Sequence, residues 1–328
     1  MILAGDIGGT KTNVALCDTT EGGGIHVRAQ GSYPSAGRDS LESILAEFLR
    51  EHPAGEITHA CFGVAGPVVD ERVETTNLAW DVRADSLSAA LKLRRVHLIN
   101  DLEATAYGVE TLRDEQFYTL NEGAGDDGGH RALIAAGTGL GMAGLFRDGE
   151  HYRPIASEGG HVDYAPRNET EIELLRYMQR QVGGRVSYER VLSGVGLVNV
   201  YKFLRDEGYA EEPAWLAERF ESEDDAACIS AAALAGEAEI ASKALDIFVQ
   251  IYGAMAGNLA LLLKTSGGVY VGGGIAPKIL EKLKDGTFVR AFCDKGRMSS
   301  LVESMPVRVI LDDKTALYGA ARCALLRG

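Results

Sequence analysis

The chain has 328 residues, 46% hydrophobic and 24% charged, a composition typical of a soluble protein of about two domains. Its 33 Lys and Arg against 47 Asp and Glu leave a formal net charge of −14, which disfavours binding to nucleic acid. No apolar run approaches the ~18 residues that a membrane-spanning helix needs, and the first residues do not resemble a secretory signal. We therefore expect a cytoplasmic protein without a membrane segment.

Strands and helices alternate over the first hundred residues, which predicts an α/β fold. An apolar run at 1–5 predicts a buried strand, and the turn at 6–12 leads into a second strand at 13–17, so the chain opens with a glycine hairpin. Further strands are predicted at 59–64 and 96–99, and helices at 41–50 and 87–91.

The opening pattern returns about 130 residues later, with a strand at 132–136, a glycine turn at 137–141 and a strand at 142–146. We interpret this recurrence as a duplication that makes two α/β lobes facing one another. Between 169 and 267 helical spacing dominates, which predicts a helical insertion in the second lobe. The remaining predictions are a strand at 268–271, a turn at 272–274, a helix started by Pro277, a strand at 307–311 and a helix at 315–326 capped by Asp312.

Three glycine turns follow predicted strands, and 40 residues of the chain are glycine. Glycine allows backbone N–H groups to approach phosphate oxygens closely, although an ordinary turn uses glycine too. The repetition, together with Thr10 and Thr138, favours phosphate binding. The P-loop pattern fails because Thr10 rather than glycine precedes Lys11, and the dinucleotide pattern at 139–144 runs into a predicted strand rather than a helix.

Acidic residues stand at the ends of two predicted strands. Asp6 could be a simple turn former, but beside a phosphate-binding turn it suits Mg²⁺ held through water. Asn100 and Asp101 lie where a strand gives way to a helix, at the sheet edge where α/β proteins bind ligands. Either residue could cap that helix, or Asp101 could accept a proton from a substrate hydroxyl.

A polar cluster at 157–161 contains Glu158 and His161, whose donors and acceptors suit the neighbouring hydroxyls of a sugar better than a metal. The spacing around Glu189 predicts only a capping-box glutamate in a helix capped by Ser187. The five cysteines are odd in number and lie among apolar residues, so we expect reduced thiols rather than disulfides or a zinc site: Cys17, Cys61, Cys228, Cys293 and Cys323.

Taken in order, these motifs resemble those of the bacterial glucokinases of the sugar kinase, heat-shock protein and actin superfamily. The shared segments are 5–10, 100–101, 136–141, 158–161, 187–190 and 272–274. The resemblance covers the whole chain and implies two ribonuclease-H-like lobes of the actin-like ATPase type, with a cleft between them and a helical insertion in the larger lobe. It suggests a discontinuous small lobe at 1–110 and 302–328 and a large lobe at 111–301.

The resemblance also implies a glycolytic kinase that uses ATP and Mg²⁺ to phosphorylate D-glucose at its 6-hydroxyl, acting as a homodimer. It makes Asp101 the general base and Asp6 the residue that holds Mg²⁺ through water. The implied sugar-binding residues are Asn100, Gly137, Glu158, His161 and Glu189. The implied nucleotide-binding residues are Gly5, Asp6, Ile7, Gly8, Gly9, Thr10, Lys11, Thr12, Gly137, Thr138, Gly272, Gly273 and Gly274.

Several alternatives stay open at this point. The related repressor, open-reading-frame, kinase group carries a cysteine-rich zinc motif, which this sequence lacks, so we expect the zinc-free branch. The preferred sugar could be another hexose such as mannose or an N-acetylhexosamine. A sugar-responsive DNA-binding regulator would need ~50 or more residues ahead of the first hairpin, which begins here at residue 1 or 2.

Overall fold

The computed structural model describes residues 1–20, 24–74, 78 and 80–327. The contacts between residues divide the chain into two compact units. The first comprises Met1–Gln116, Asp148–Ala156 and Asp312–Gly328, and the second comprises Phe117–Arg147 and Ser157–Leu311.

A five-stranded sheet forms the centre of the first unit. The strands in this part of the chain are β1 (Ile2–Ile7), β2 (Lys11–Thr19), β3 (Ile25–Pro34), β4 (His59–Val64), β5 (Arg72–Glu74), β6 (Asp81–Arg83) and β7 (His97–Asn100). The sheet has the order β3-β2-β1-β4-β7, while β5 and β6 form a separate antiparallel pair. Strands β1, β4 and β7 run parallel, and β1 and β4 are almost wholly buried, as expected for central strands covered on both faces.

Two helices connect these strands, α1 (Leu41–Glu51) and α2 (Ala84–Leu91), and a third, α3 (Asp101–Val109), follows β7. Helix α1 begins after Ser40, whose side chain accepts a hydrogen bond from the Ser43 N–H. Its buried residues recur at helical spacing and place one apolar face in the core: Leu41, Ile44, Leu45 and Phe48.

The second unit repeats this arrangement. The remaining strands are β8 (Phe117–Asn121), β9 (Arg131–Ala136), β10 (Leu140–Asp148), β11 (His151–Ser157), β12 (Gly268–Gly272) and β13 (Val307–Ile310). In its sheet β10, β9, β12, β13 and β8 lie side by side in that order. An antiparallel hairpin is followed by two parallel strands in both units, so β10-β9-β12-β13 matches β2-β1-β4-β7. The predicted α/β fold with two hairpin-led lobes is confirmed.

Helices dominate the insertion between β11 and β12, as predicted. They are α4 (Glu169–Val182), α5 (Gly194–Asp206), α6 (Ala214–Arg219), α7 (Asp225–Ala235) and α8 (Glu239–Leu263), and α9 (Leu280–Leu283), α10 (Thr287–Cys293) and α11 (Ser299–Glu303) follow β12. By length and composition alone α8 could cross a membrane, but 67% of its apolar window is buried inside the protein. The central helix of a core passes the same test, so α8 is weak evidence for a membrane span.

Two predicted helix starts are wrong. Pro277 does not begin a helix, because residues 273–279 form successive turns and α9 starts only at Leu280. The Ile275 N–H donates to the Ala136 carbonyl at the end of β9, which holds this segment against the sheet. The cap of α5 is Ser193 rather than Ser187, since the Ser193 hydroxyl accepts from the Gly196 N–H.

The last helix, α12 (Thr315–Arg327), belongs to the first unit and packs against α3 and β1. The Asp312 carboxylate accepts from the Lys314 N–H just before the helix starts. The crossing with α3 is very close, because a Cβ atom added at Gly319 would lie 1.7 Å from the Ala104 carbonyl oxygen. A Cβ added at Gly108 would lie 2.0 Å from the Thr315 carbonyl oxygen. Glycine at these positions therefore sets where α3 lies.

Candidate active site

The first glycine hairpin joins β1 to β2 and is held in shape by Ser35. The Gly8 N–H donates to the Lys11 carbonyl, and the Ser35 hydroxyl donates to the Gly8 carbonyl at 2.7 Å. The Ser35 N–H donates to the Thr10 carbonyl at 3.0 Å. Thr10 and Lys11 are exposed at the tip, so their side chains and the backbone of the turn can reach a ligand.

Three of the predicted nucleotide-binding residues in this hairpin have buried side-chain positions. Ile7 lies in the core, and a Cβ atom at Gly5 would lie 2.6 Å from the Phe62 ring. The buried Thr12 hydroxyl is hydrogen-bonded to the Ser35 hydroxyl at 2.9 Å. The packing of the core therefore accounts for the residue types at these three positions, and the three residues stabilise the turn.

Asp6 ends β1 next to this turn. Its Oδ2 accepts a hydrogen bond from the Asn13 amide at 3.3 Å, and the Asn13 Oδ1 accepts in turn from the Ser32 hydroxyl. The pKa of Asp6 is raised to about 6, chiefly by burial; the carboxylates of Asp101 and Asp313 contribute to this rise, while the Asn13 hydrogen bond and the Lys11 charge oppose it. Negative charge thus accumulates in the first unit around Asp6.

Mg²⁺ fits this set of oxygen donors, because it binds proteins through one or two carboxylates and keeps several waters. Within residues 1–20, 24–74, 78 and 80–327, no three His, Cys, Asp or Glu side chains are grouped to hold a metal ion directly. Asp6 is a carboxylate that could hold such an ion together with ligands from outside the protein, such as water and phosphate.

Asn100 and Asp101 lie at the junction of β7 and α3, at the carboxyl end of the parallel strands. Asn100 is the N-cap of α3, since its Oδ1 accepts from the Leu102 N–H at 2.9 Å while its amide donates to the Gly66 carbonyl. The Asp101 Oδ1 also accepts from the Leu102 N–H at 2.9 Å, and the carboxylate is half-buried. Asp101 is the first residue of α3, a position where a carboxylate interacts favourably with the helix N-terminus.

The second glycine hairpin, between β9 and β10, is closed by the Gly137 N–H donating to the Gly139 carbonyl at 2.8 Å. Thr138 is exposed at its tip, as Thr10 is in the first hairpin. The Gly194 N–H, at the start of α5, donates to the Gly137 carbonyl at 2.8 Å. The insertion is thus attached directly to this turn.

The third glycine turn packs against the second. Gly273 has a φ of +83°, and a Cβ atom there would lie 2.2 Å from the Ala136 carbonyl oxygen, so only glycine fits. Gly272 ends β12 and accepts from the buried Tyr252 hydroxyl. An added Cβ at Gly137 would lie 3.9 Å from the Gly274 nitrogen. The structure therefore brings together the two segments of the second unit predicted to bind phosphate and adenosine.

Three predicted sugar-binding residues gather around the start of β10. Glu158 and His161 are exposed and loosely paired, with 3.9 Å between Oε2 and Nε2. Between them a Cβ atom at Gly160 would lie 1.9 Å from the Leu140 carbonyl oxygen. On the other side the Leu140 N–H donates to the Glu189 Oε2 at 2.9 Å.

The predicted capping-box role of Glu189 is wrong. Glu189 lies in a single 3₁₀ turn, Tyr188–Arg190, where Ser187 makes no capping hydrogen bond, and its carboxylate bonds instead to β10. The sequence placed Gly139 in the glycine turn without giving it a role at the site, and it gave no role to Ser193 or Asp313. The Ser-Gly pair at 193–194 is a helix-start signal in the sequence, whereas the electrostatic effect of Asp313 on the pKa of Asp6 has no local signal.

The fold is shared with solved kinases. A crystal structure of a glucokinase from an Antarctic psychrotroph matches with a TM-score of 0.88 at 31% identity, covering 99% of this chain and 98% of that one. A ROK family glucokinase from Streptomyces griseus, determined with glucose and AMPPNP, matches in fold with a TM-score of 0.65 at 21% identity over 99% of each chain. Two units with one sheet order and glycine hairpins define this class, the sugar kinases of the actin-like ATPase fold.

Sequence comparison narrows the class to one family. A family model described as Glucokinase matches residues 3–326. The chain is 41% identical over 336 residues to a glucokinase of Nostoc punctiforme, and the alignment covers 99% of this chain and 98% of the relative. The chain therefore belongs to the glucokinase family and is an enzyme that transfers a phosphoryl group to a hexose. The family resemblance predicted from the motifs is confirmed.

Proposed function

We propose that the enzyme phosphorylates the 6-hydroxyl of D-glucose with ATP and Mg²⁺, releasing glucose 6-phosphate and ADP. The observation that carries the proposal is Asp101, a half-buried carboxylate at the N-terminus of α3, in a chain whose curated relatives are glucokinases. The Streptomyces griseus structure was determined with glucose and AMPPNP, which supports the same ligands here.

Asp101 is the proposed general base. It would accept the hydroxyl proton as the oxygen attacks the γ-phosphorus, a contribution worth ~10² to 10⁴ in rate. Asn100 orients Asp101 by capping α3, and one of its amide hydrogens and one lone pair can still meet a sugar hydroxyl. Glu158, His161, Glu189 and the Gly137 backbone are the proposed sugar contacts of the second unit.

Phosphoryl transfer depends mainly on alignment and on neutralising charge at the γ-phosphate. We assign the phosphates to backbone amides and hydroxyls of the turns that carry Thr10 and Thr138, and the adenosine side to Gly272–Gly274. Mg²⁺, when bound, would neutralise phosphate charge, and Asp6 is its proposed partner through water. Ionised Asp6 and Lys11 would position the water shell and the phosphates. Family likeness suggests that no zinc is required.

A coupled assay of ADP release over a panel of hexoses tests the substrate. We expect glucose to give the highest kcat/KM, and a higher value for mannose or an N-acetylhexosamine would replace glucose as the substrate. Absence of turnover with every hexose would refute the proposal. Replacing ATP by polyphosphate in the same assay tests the donor.

The role of Asp101 is tested with Asp101→Asn, which keeps the size and removes the basic carboxylate. We expect kcat to fall by ~10² or more while the affinity for glucose stays near that of the parent enzyme. Asp39→Asn is the matched control, because Asp39 is an exposed aspartate of the same unit. Full kcat in Asp101→Asn would remove this residue from the base role.

Family likeness also suggests a cytoplasmic glycolytic enzyme that acts as a homodimer. Size-exclusion chromatography with light scattering measures the mass in solution, and a monomer at working concentration would contradict the dimer. The assignment of residues 1–110 with 302–328 and of residues 111–301 to two functional lobes stays a prediction.

A further inference from the structure

We propose that Glu189 couples the sugar to the nucleotide, because one oxygen of its carboxylate holds the phosphate turn at 137–139 while the other receives a sugar hydroxyl. This inference rests on the proposed function and adds a second task to a residue assigned only to sugar binding. All the contacts that carry it lie within the second unit.

The direct link runs from the carboxylate to the residue after the turn. The Leu140 N–H donates to the Glu189 Oε2 at 2.9 Å. A Cβ atom added at Gly139 would lie 2.6 Å from the same oxygen, closer than atoms can approach, so a side chain there would push the carboxylate away. Glycine at 139 is therefore required for Glu189 to reach the turn.

A second link reaches the other end of the turn. The Ser193 hydroxyl donates to the Glu189 carbonyl at 2.8 Å and accepts from the Gly196 N–H, which caps α5. The adjacent Gly194 N–H donates to the Gly137 carbonyl at 2.8 Å. Hydrogen bonds thus connect the Glu189 segment to both sides of the turn, at Gly137 and at Leu140.

The carboxylate has capacity left for a ligand. Among the described residues no hydrogen-bond donor reaches the Glu189 Oε1, and the side chain is only half-buried. A hydroxyl that binds Oε1 changes the position and the charge density of Oε2, and with them the hydrogen bond to Leu140. By thermodynamic linkage, if bound sugar changes the affinity for nucleotide by some factor, bound nucleotide must change the affinity for sugar by that same factor.

A pair of variants isolates the hydrogen bond to the turn. Glu189→Gln and Glu189→Met both remove the charge and have similar length, but only glutamine keeps an oxygen that can accept from the Leu140 N–H. The measurement is the Kd for a non-hydrolysable ATP analogue with Mg²⁺ in the absence of sugar, by titration calorimetry. We expect the methionine variant to bind about tenfold more weakly than the glutamine variant.

The contrary result is equally clear. A residue that only contacts sugar would leave both variants with the same nucleotide affinity within about twofold, and that outcome would overturn the coupling role. Thermal unfolding of the two variants accompanies the titration, because a purely structural effect would lower Tm without separating their nucleotide affinities.

The reverse direction is tested at Gly139. We expect Gly139→Ala to weaken glucose binding about fivefold in the absence of nucleotide. The added methyl group pushes the Glu189 carboxylate away from the turn but leaves Glu189 itself unchanged. Gly184→Ala is the matched control, because an added Cβ there meets no atom within 4 Å, and it should bind glucose like the parent. Parental affinity in Gly139→Ala would refute the inference.

The two proposals fail differently. If the parent enzyme phosphorylates no hexose, the proposed function is wrong, whatever the variants bind. If the parent phosphorylates glucose but the Gln and Met variants bind nucleotide equally, only the coupling is wrong. The Gln and Met pair also decides the matter if Gly139→Ala does not fold.

Discussion

The crossing of α3 and α12 offers a sharp test of how the first unit positions Asp101, the proposed general base. Gly319→Ala would place a Cβ atom 1.7 Å from the Ala104 carbonyl oxygen, whereas ordinary contact begins near 3.4 Å. The neighbour is backbone, so no side-chain rotation relieves the overlap, and the helices must separate by about 1 to 2 Å. Ala104 lies one turn after Asp101 in α3, so this shift also moves the proposed base.

Two effects of opposite sign determine the stability of this variant. Alanine favours a helix over glycine by about 1 kcal/mol, whereas overpacking a tight interface costs about 1 to 3 kcal/mol. The difference predicts a net loss of up to about 2 kcal/mol in urea unfolding. Because a misplacement of about 1 Å can cost ~10² in rate, kcat should fall by about tenfold to a hundredfold.

Gly184→Ala serves again as the control, since it adds a methyl group without a collision. Stability and kcat of Gly319→Ala are measured side by side with it. A variant as stable as the parent and fully active would show that the helices do not cross this closely, and the account of how α3 is positioned would fail.

Three further predictions concern single side chains. Asp6→Asn should raise the free energy of unfolding by up to about 3 kcal/mol near pH 8 without divalent cations, because the pKa of about 6 in the folded protein exceeds the ordinary 3.8. This gain should shrink as the pH falls from about 6 towards 3.8, and a gain independent of pH would contradict the raised pKa. Tyr252→Phe should cost about 1 to 3 kcal/mol in urea unfolding, since it leaves the buried Ala136 N–H unpaired, and an unchanged midpoint would argue against that bond. Asn100→Ala should cost about 1 kcal/mol through the lost cap of α3 and should also lower kcat; a change in stability alone would separate Asn100 from catalysis.

Features that depend on near neighbours in the chain were predicted well. The two glycine hairpins, the strands at 59–64 and 132–136 and the helical insertion between 169 and 267 all follow from apolar spacing and turn residues. The Pro277 helix failed because a hydrogen bond between Ile275 and Ala136, 139 positions apart in sequence, overrides a local preference. The candidate site shows the same difference. The position of Asp101 could be predicted from the local junction of strand and helix, whereas the hydrogen bond of Glu189 to β10 could not.

The amino-acid order by itself determined the hairpin-led α/β pattern, its repetition and the family, because these are written in residues a few positions apart. Tertiary structure alone decided that Glu189 bonds to Leu140, that Asp6 shares its surroundings with Asp101 and Asp313, and that Gly319 meets Ala104. Such contacts join residues tens to hundreds of positions apart, and their energies depend on burial and on atomic separations that arise only when the sheets and helices pack.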